Sequence, residues 1–334
     1  MRIGLMGLGR IGALHAETLA ALPAVESLVV TDPVAAAAEA AATRHGAEVA
    51  ASPEDVLASG VDGIVVAAAT DAHPQLILAA VKAGVPVFCE KPVARTIGES
   101  VEVLRAVQDS GVPVQIGYNR RFDPGFAAAR EAVAAGELGL LHTVRSTTLD
   151  PEPPPAAYVA VSGGIFRDCS VHDFDIVRWV TGREVAEVYA AGGNRGAEYI
   201  AAAGDADTAA AVLTLDDGTL VLISNSRHNP RGYDVRMELH GTKDSIAVGL
   251  EDGLPLRSVE PGARFPAGPP HHFFMDRFRA AYRAELAAFT EVVAGRRPSP
   301  CSVADAVEAG WIAEACTLSL RDRRPVRMEE VRTA

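Results

Sequence analysis

The sequence predicts an α/β protein with an N-terminal Rossmann parallel sheet and a C-terminal α/β domain that carries a large, mostly antiparallel open sheet. Up to residue 117, short β-rich runs alternate with helical runs, which is the pattern of βαβ units. These β runs are apolar without alternation, as in a sheet covered on both faces. Later β runs follow one another across tight turns such as Asp217-Gly218, which favour antiparallel hairpins. We therefore expect two domains, residues 1–120 and residues 121–334.

Apolar periodicity and turn residues predict the individual elements. The strands expected in the first domain are Ile3–Met6, Ser27–Thr31, Val61–Ala67, Val85–Cys89 and Val114–Ile116. Its expected helices are Ile11–Leu22, Ala35–His45, Pro74–Lys82 and Ile97–Asp109. In the second domain we expect helices at Pro124–Ala135, Ser170–Val180, Phe274–Val293 and Val303–Leu320. The strands expected there are Leu141–Leu149, Val185–Ala191, Thr208–Leu215, Thr219–Ser226, Asp234–His240 and Ser245–Val248, and Glu251–Pro270 is expected to be a loop.

Composition excludes several classes of protein. The chain has 334 residues, of which 49% are hydrophobic, enough for two domains with cores of their own. Its formal net charge of −12 argues against a nucleic-acid partner, which requires a basic surface. No apolar run approaches the roughly 20 residues of a membrane-spanning helix. The four cysteines show neither a C-x-x-C pair nor zinc-like spacing, so we expect no metal and a cytoplasmic protein with reduced thiols.

A glycine motif after the first strand predicts a dinucleotide site. Gly7, Gly9 and Gly12 follow Ile3–Met6 and open a helix, with Arg10 and Ile11 between the last two glycines. Such glycines permit a tight turn, approach of the backbone to a diphosphate, and close packing of helix on strand.

An acid twenty residues after Gly12 completes this pattern. Asp32 ends the second predicted strand, where a carboxylate can accept hydrogen bonds from the adenosine ribose and repel a 2′-phosphate. The expected cofactor is therefore NAD. The alternative interpretation is a glycine-rich turn in which Asp32 caps the next helix.

The loops after the next strands are expected to line the same site. Ala69, Thr70 and His73 follow one strand, although His73 could equally cap or pack near Pro74. Glu90 and Lys91 follow the next strand. Lys91 can hydrogen-bond a substrate hydroxyl and stabilise a developing alkoxide, whereas most lysines are solvated surface charges.

A second group of candidate residues lies at the start of the helix predicted near residue 170. Asp168 and His172 are spaced i, i+4, so a carboxylate could orient an imidazole that removes a hydroxyl proton. The alternative is that Asp168 is the N-cap of the helix and His172 a surface group. Asp173 and Asp175 are expected to be solvated or paired with Arg167 or Arg178.

Four ordered motifs resemble the glucose–fructose oxidoreductase/inositol dehydrogenase/MocA family, and most closely its inositol 2-dehydrogenase branch. The motifs are the glycine loop at 7–12, Glu90-Lys91-Pro92, residues 117–124 (GYNRRFDP) and residues 164–179 (GIFRDCSVHDFDIVRW). The resemblance covers nearly the whole chain. It implies an NAD-binding first domain and a second domain for substrate binding and oligomerisation, with assembly into a homotetramer through the open sheet.

The resemblance also implies roles for individual residues. Lys91 would bind the reacting hydroxyl, and Asp168 with His172 would form the dyad in which His172 is the general base. Further substrate contacts are implied at Asn119, Arg120, Asp150 and Tyr282, in addition to Lys91, Asp168 and His172. Asn119 stands where inositol dehydrogenases often have Met, which bears on inositol specificity.

The activity implied is NAD-dependent oxidation of a secondary hydroxyl of a cyclic polyol or sugar, with myo-inositol oxidised at C2 as the first expectation. Other NAD-dependent sugar dehydrogenases or ketoreductases of this family are alternatives. So is a glycosidase that uses tightly held NAD for a transient oxidation, which would release no net NADH. A third hypothesis is a non-enzymatic NAD-responsive regulator, although such a sensor has no need of a proton-relay set.

Overall fold

The computed structural model describes residues 1–263, 265–266 and 268–332. Its helices and strands are β1 (Arg2–Met6), α1 (Arg10–Ala20), β2 (Ser27–Thr31), α2 (Ala35–His45), β3 (Glu48–Val49), α3 (Pro53–Ala58), β4 (Gly63–Val66), α4 (His73–Lys82), β5 (Val87–Glu90), α5 (Ile97–Ser110), β6 (Val114–Gly117), α6 (Pro124–Ala134), β7 (Leu141–Leu149), α7 (Ala156–Val159), α8 (Val171–Thr181), β8 (Val185–Gly193), α9 (Glu198–Ala202), β9 (Thr208–Leu215), β10 (Leu220–Ser226), β11 (Asp234–Gly241), β12 (Ser245–Val248), α10 (Phe274–Arg277), α11 (Arg279–Val293), α12 (Val303–Asp322), β13 (Val326–Arg327) and α13 (Met328–Arg332). Residues 264 and 267 of the predicted loop 251–270, and residues 333–334 of the predicted second domain, lie outside the described residues.

The first unit, Met1–Asn119 with Ala280–Val307, contains a parallel sheet of order β3-β2-β1-β4-β5-β6. The strands are short apolar runs whose side chains are buried on both faces, as Ile64, Val65 and Val66 show. Strand order reverses between β1 and β4, and in sheets of this kind ligands bind beyond the carboxyl ends of the strands at that point. The predicted Rossmann sheet is confirmed.

The second unit, Arg120–Arg279 with Glu308–Ala334, contains a seven-stranded sheet of order β12-β11-β7-β10-β9-β8-β13. Only β7 and β10 pair in parallel; the other described pairs are antiparallel. Helix α8 packs against β7. Burial alternates along β9 and β10, so one face of each strand is covered and the other is open to solvent. The predicted open, mostly antiparallel sheet is confirmed.

The unit boundaries differ from the expected division in one respect. The first unit ends at Asn119, beside the expected boundary at 120, but it also contains residues 280–307, which the sequence division assigned to the second domain. The apolar side chains of α11 explain this difference. Leu286, Phe289 and Val292 are buried in the same cluster as Ile3 and Leu5 of β1, and burying apolar surface is the main favourable contribution to packing.

Several elements were not predicted because they are too short to show a period. They are β3, α3, α7, α9, β13 and α13, of two to six residues each. The helix predicted at Phe274–Val293 is two helices, α10 and α11, that break at Phe278. Within the described residues no helix is long and apolar enough to cross a membrane. All four cysteines are described, and each is buried and outside any disulfide.

Candidate active site

The glycine loop joins β1 to α1 in the first unit. Gly7 has φ +97°, a conformation that favours glycine, and a Cβ there would lie 2.5 Å from the backbone nitrogen of Ala68. A Cβ at Gly12 would overlap the carbonyl oxygen of Gly7. Gly9 is different, because a Cβ there would meet nothing within 4 Å. Packing within the protein therefore requires Gly7 and Gly12, while the space over Gly9 stays open for a ligand.

Asp32 holds this loop. Its Oδ2 accepts a hydrogen bond from the Leu8 amide at 2.6 Å, and its Oδ1 accepts one from the Val34 amide at 2.8 Å. The N-cap of α2 is Val34, so Asp32 does not occupy the capping position that the alternative interpretation gave it. Each carboxylate oxygen retains a second lone pair for a ribose hydroxyl.

The start of α1 fits a dinucleotide diphosphate. Gly9 is the N-cap and makes no side-chain capping bond, Arg10 is exposed and Ile11 is half-buried. The first amides of an α-helix lack partners within the helix and attract an anion. Together with Asp32, these groups match the chemistry of NAD.

Substitution of Gly9 tests the role of this residue in NAD binding without disturbing the fold. Gly9→Ala should leave the melting temperature nearly unchanged, because its φ of −62° suits alanine and the added methyl has open space. It should weaken NAD binding by about tenfold or more, because the methyl stands where the diphosphate approaches. Isothermal titration with NAD and a thermal melt provide the two measurements.

Gly7→Ala is the matched comparison for this test. It should lower the melting temperature itself, since its Cβ meets the backbone of Ala68 at a positive φ. NAD binding by Gly9→Ala as tight as that of the wild type would contradict the assignment of the open space to the diphosphate.

The loops after β4 and β5 are tied together by His73. Its ring is buried, with Nδ1 2.7 Å from the carbonyl oxygen of Pro92 and Nε2 3.0 Å from that of Ala68. Both ring nitrogens thus contact backbone, which supports the packing alternative, and its contact to a cofactor stays a prediction. Ala69 and Thr70 begin the short 3₁₀ turn that precedes His73.

Lys91 follows Glu90, the last residue of β5, and both are half-buried. The Glu90 carboxylate lies 2.6 Å from Nε2 of His15 in α1, so it is held by the helix that follows the glycine loop. Tyr282 of α11 also belongs to this unit and is buried against the ring of His15, with ring centroids 6.0 Å apart. Asn119, at the end of the unit, is buried in a 3₁₀ turn.

In the second unit, Asp168 lies in a π-helical turn, Phe166–Ser170, that leads into α8. His172 is the second residue of α8 and is half-buried. Asp168 is not the N-cap of α8, because Ser170 occupies that position. Single π turns inside helices are frequent at functional sites.

Two side chains that the sequence did not single out contact or face Asp168. The Tyr158 hydroxyl donates a hydrogen bond to Asp168 Oδ1 at 2.7 Å. The buried guanidinium of Arg227 places Nη2 3.6 Å from Asp168 Oδ2 and 3.2 Å from Asp205 Oδ2. A carboxylate held in this way has a fixed direction, which an orienting partner for a catalytic imidazole requires.

A buried polar network lies around Asp173. Its Oδ1 accepts hydrogen bonds from Arg120 at 3.0 Å and from Ser146 at 2.5 Å, and Thr148 donates to it at 2.9 Å. Asn225 donates to its Oδ2 at 2.8 Å. Asp173 is fully buried, so the expectation that it is solvated or paired with Arg167 or Arg178 is wrong.

The same correction applies to Asp175. It is fully buried and forms a bidentate pair with Arg121, at 2.9 Å from Nε and 2.6 Å from Nη2. Helix α8 is apolar around these acids, with Phe174, Ile176 and Val177 all buried. Apolar residues on every side indicate a buried helix, and this was the signal that could have revealed buried partners for its carboxylates.

Arg120, expected to bind substrate, is 2% exposed and directed into this network. Its Nη1 contacts Asp173, and its Nη2 donates to Thr148 at 2.9 Å. Burial opposes the charged guanidinium, but the charge and hydrogen bond of Asp173 together with other nearby groups outweigh it, so the pKa of Arg120 is raised. The structure supports a role in holding Asp173, and a direct contact with substrate stays a prediction.

Asp150 directly follows β7 and is half-buried, and its backbone is hydrogen-bonded to Ser226 and Asn229.

Burial, and then the charges of Asp150, Asp173 and Asp168, raise the pKa of the Cys169 thiol well above its usual range. Cys169 is therefore an uncharged thiol at neutral pH and not a nucleophile.

Comparisons with known proteins agree with the fold and the glycine loop. Residues 1–118 match the oxidoreductase family with an NAD-binding Rossmann fold, and residues 126–247 match the GFO/IDH/MocA C-terminal domain. A myo-inositol dehydrogenase of Streptomyces leeuwenhoekii is 40% identical over 302 residues, 90% of this chain and 91% of that protein. A myo-inositol 2-dehydrogenase of Thermotoga maritima is 37% identical over 335 residues, 99% of each chain.

A solved structure of scyllo-inositol dehydrogenase from Lactobacillus casei, with bound NAD(H) and scyllo-inositol, superposes with a TM-score of 0.88. It is 29% identical and covers 98% of this chain and 99% of its own. Fold and glycine loop thus define an NAD-binding Rossmann oxidoreductase. The chain belongs to the glucose–fructose oxidoreductase/inositol dehydrogenase/MocA family.

Proposed function

We propose that this protein oxidises a secondary hydroxyl of an inositol to the ketone, with myo-inositol oxidised at C2 as the first substrate to test. The observation that carries the proposal is the Asp168–His172 segment. Its π turn contains Asp168, which accepts a hydrogen bond from Tyr158, four residues before the half-buried His172. The named inositol dehydrogenases among the relatives supply the substrate class.

The residues have distinct tasks in this reaction. His172 accepts the proton of the reacting hydroxyl, and Asp168 orients the imidazole and stabilises its charged form. Lys91 donates a hydrogen bond to the same oxygen and stabilises the negative charge that develops there. NAD, when bound, accepts the hydride from the carbon. Further contacts to the polyol are proposed for Asn119, Arg120, Asp150 and Tyr282, and cofactor contacts for Arg10, Ile11, Ala69, Thr70, His73, Glu90 and Lys91.

NADH formation with a panel of polyols tests the proposal. The panel contains myo-, scyllo- and D-chiro-inositol and glucose, each assayed with NAD and with NADP. We expect turnover with an inositol and NAD, and weaker turnover with NADP, since the Asp32 charge repels a 2′-phosphate. Turnover of glucose but no inositol would move the proposal to another sugar dehydrogenase of the family. A glycoside that is cleaved without net NADH would favour the glycosidase alternative.

We infer a homotetramer assembled through the open face of the second unit's sheet. Tyr189, Val212 and Leu222 form a row across β8, β9 and β10 and are each more than 40% exposed, and Leu220 lies near them. An apolar patch on the solvent face of an open sheet marks an interaction surface.

Leu222→Glu should break this assembly. A charge in the middle of the apolar row has no partner when two such faces meet, so it favours separated chains. Sedimentation velocity should show a smaller species than the wild type, while Leu78→Glu on α4 should leave the assembly unchanged. A wild-type chain that sediments as a monomer would contradict the inference.

Four buried thiols outside any disulfide also support a reducing compartment, and we propose the cytoplasm.

A further inference from the structure

Three titratable side chains meet inside the first unit, apart from the dyad described above. They are His15 of α1, Glu90 of β5 and Glu285 of α11, and their potential ligand atoms all lie within 4.8 Å of one another. His15 and Glu285 are fully buried. Three elements far apart in sequence thus converge on one buried cluster of acids and imidazole.

Glu285 is the unexplained member. Both of its carboxylate oxygens are buried and have no hydrogen-bond partner among the described residues. An ionised carboxylate in that position would lack both solvent and a counter-charge, which is strongly unfavourable. Burial, and then the charge of Glu90, raise the pKa of Glu285 well above its usual range. A neutral Glu285 carries an O–H that needs an acceptor, and a carboxylate oxygen of Glu90 lies within 4.8 Å of one of its own.

The short distance between the His15 and Glu90 side chains indicates that they share a proton and do not bind a metal ion. Their Nε2 and Oε1 atoms are 2.6 Å apart, the length of a charge-assisted hydrogen bond. Two atoms that each bind one divalent ion at about 2.0–2.2 Å cannot also share a proton. His15 Nδ1 is buried without a partner among the described residues, so the tautomer with its proton on Nε2 leaves no donor unsatisfied.

Neighbouring groups complete the surroundings of the cluster. The ring of Phe88 lies edge-on to His15, with centroids 5.5 Å apart, and Tyr282 flanks the same ring. Gln115 of β6 donates from its amide to the backbone oxygen of Glu285 at 3.0 Å. Cys89, whose thiol pKa is raised by burial and by Glu90, adds no charge. Lys91, which directly follows Glu90, is the cationic residue nearest to the cluster along the sequence.

We propose that His15, Glu90 and Glu285 are a proton-sharing positioning cluster, in which His15 and a protonated Glu285 both donate hydrogen bonds to the Glu90 carboxylate. The cluster then holds a single negative charge on Glu90 and fixes the end of β5, from which Lys91 extends. Because α1 begins at the glycine loop, the cluster also ties the dinucleotide loop to the lysine. This inference rests on the proposed function only in giving Lys91 a catalytic task.

The state of Glu285 can be tested without any substrate. The infrared spectrum of the wild type at pH 7 should contain the carbonyl band of a protonated carboxyl group, and Glu285→Gln should lose it. Glu291→Gln, on the same helix but ion-paired with Arg296 at the surface, should retain the band. A wild-type spectrum without the band, or about one equivalent of metal ion per purified chain, would overturn the proposal.

Turnover tests the positioning role. Glu285→Leu removes the donor, so kcat should fall about tenfold or more while the Kd for NAD stays within about twofold. Glu285→Gln restores an N–H donor of the same shape and should recover most of that loss between pH 6 and 9. An equal loss in both variants would overturn the role. Because the infrared test needs no turnover, a chain that fails to oxidise inositol would still report on the cluster.

Discussion

Lys91→Ala should lower kcat for inositol oxidation about a hundredfold or more while NAD still binds. The ammonium group is proposed to act only on the oxygen that gains negative charge, so its loss is felt in the transition state more than in cofactor affinity. Lys91 is half-buried at the end of β5, whereas Lys82 at the end of α4 is exposed. Lys82→Ala is therefore the control, and its turnover should match the wild type.

His172→Ala should lower kcat about as much as Lys91→Ala does, but for a different reason. Removing the base leaves solvent to take the proton, so turnover of the variant should rise steadily with pH. Steady-state kinetics from pH 6 to 10, with NAD affinity measured separately, check both variants. Unchanged turnover in Lys91→Ala and His172→Ala together would remove the proposed mechanism.

The parts of the molecule that could be predicted are those encoded by neighbours in sequence. The glycines of the loop form a short sequence pattern, and the spacing to Asp32 spans one βαβ step. The helix containing His172 was predicted within one residue of its observed bounds. Local periodicity and turn chemistry suffice for such features.

Contacts between distant segments could not be predicted. Arg120 lies 53 residues before Asp173, and nothing in either segment reveals that the two side chains meet in a buried network. Glu285 looks like an ordinary helical glutamate until α11 packs into the first unit. Carboxylates are rarely buried without a partner, so the solvated interpretation was the natural one for Asp173 and Asp175. The π turn at Asp168 has no periodic signature either.

Arg120→Met should destabilise the second unit by about 3–5 kcal/mol, because it leaves the fully buried Asp173 carboxylate without its counter-charge. Three neutral donors, Ser146, Thr148 and Asn225, would remain, and these cannot neutralise the charge. At roughly 2–4 °C per kcal/mol for a unit of this size, the melting temperature should fall by about 6–20 °C. Thermal melts followed by circular dichroism provide the measurement.

Two further variants test whether loss of the Arg120–Asp173 ion pair causes the destabilisation. Arg183→Met removes an exposed partner of Asp217 in the same unit and should cost about 1 kcal/mol or less. The double variant Arg120→Met, Asp173→Leu should recover much of the lost stability, since an apolar pair replaces a buried ionic one. If Arg120→Met instead raised KM for inositol with no change in melting temperature, Arg120 would serve the substrate, as the family resemblance implies, and the buried pair would contribute little. The two roles thus predict different outcomes for one substitution: a lower melting temperature if Arg120 holds Asp173, or a higher KM if Arg120 binds substrate.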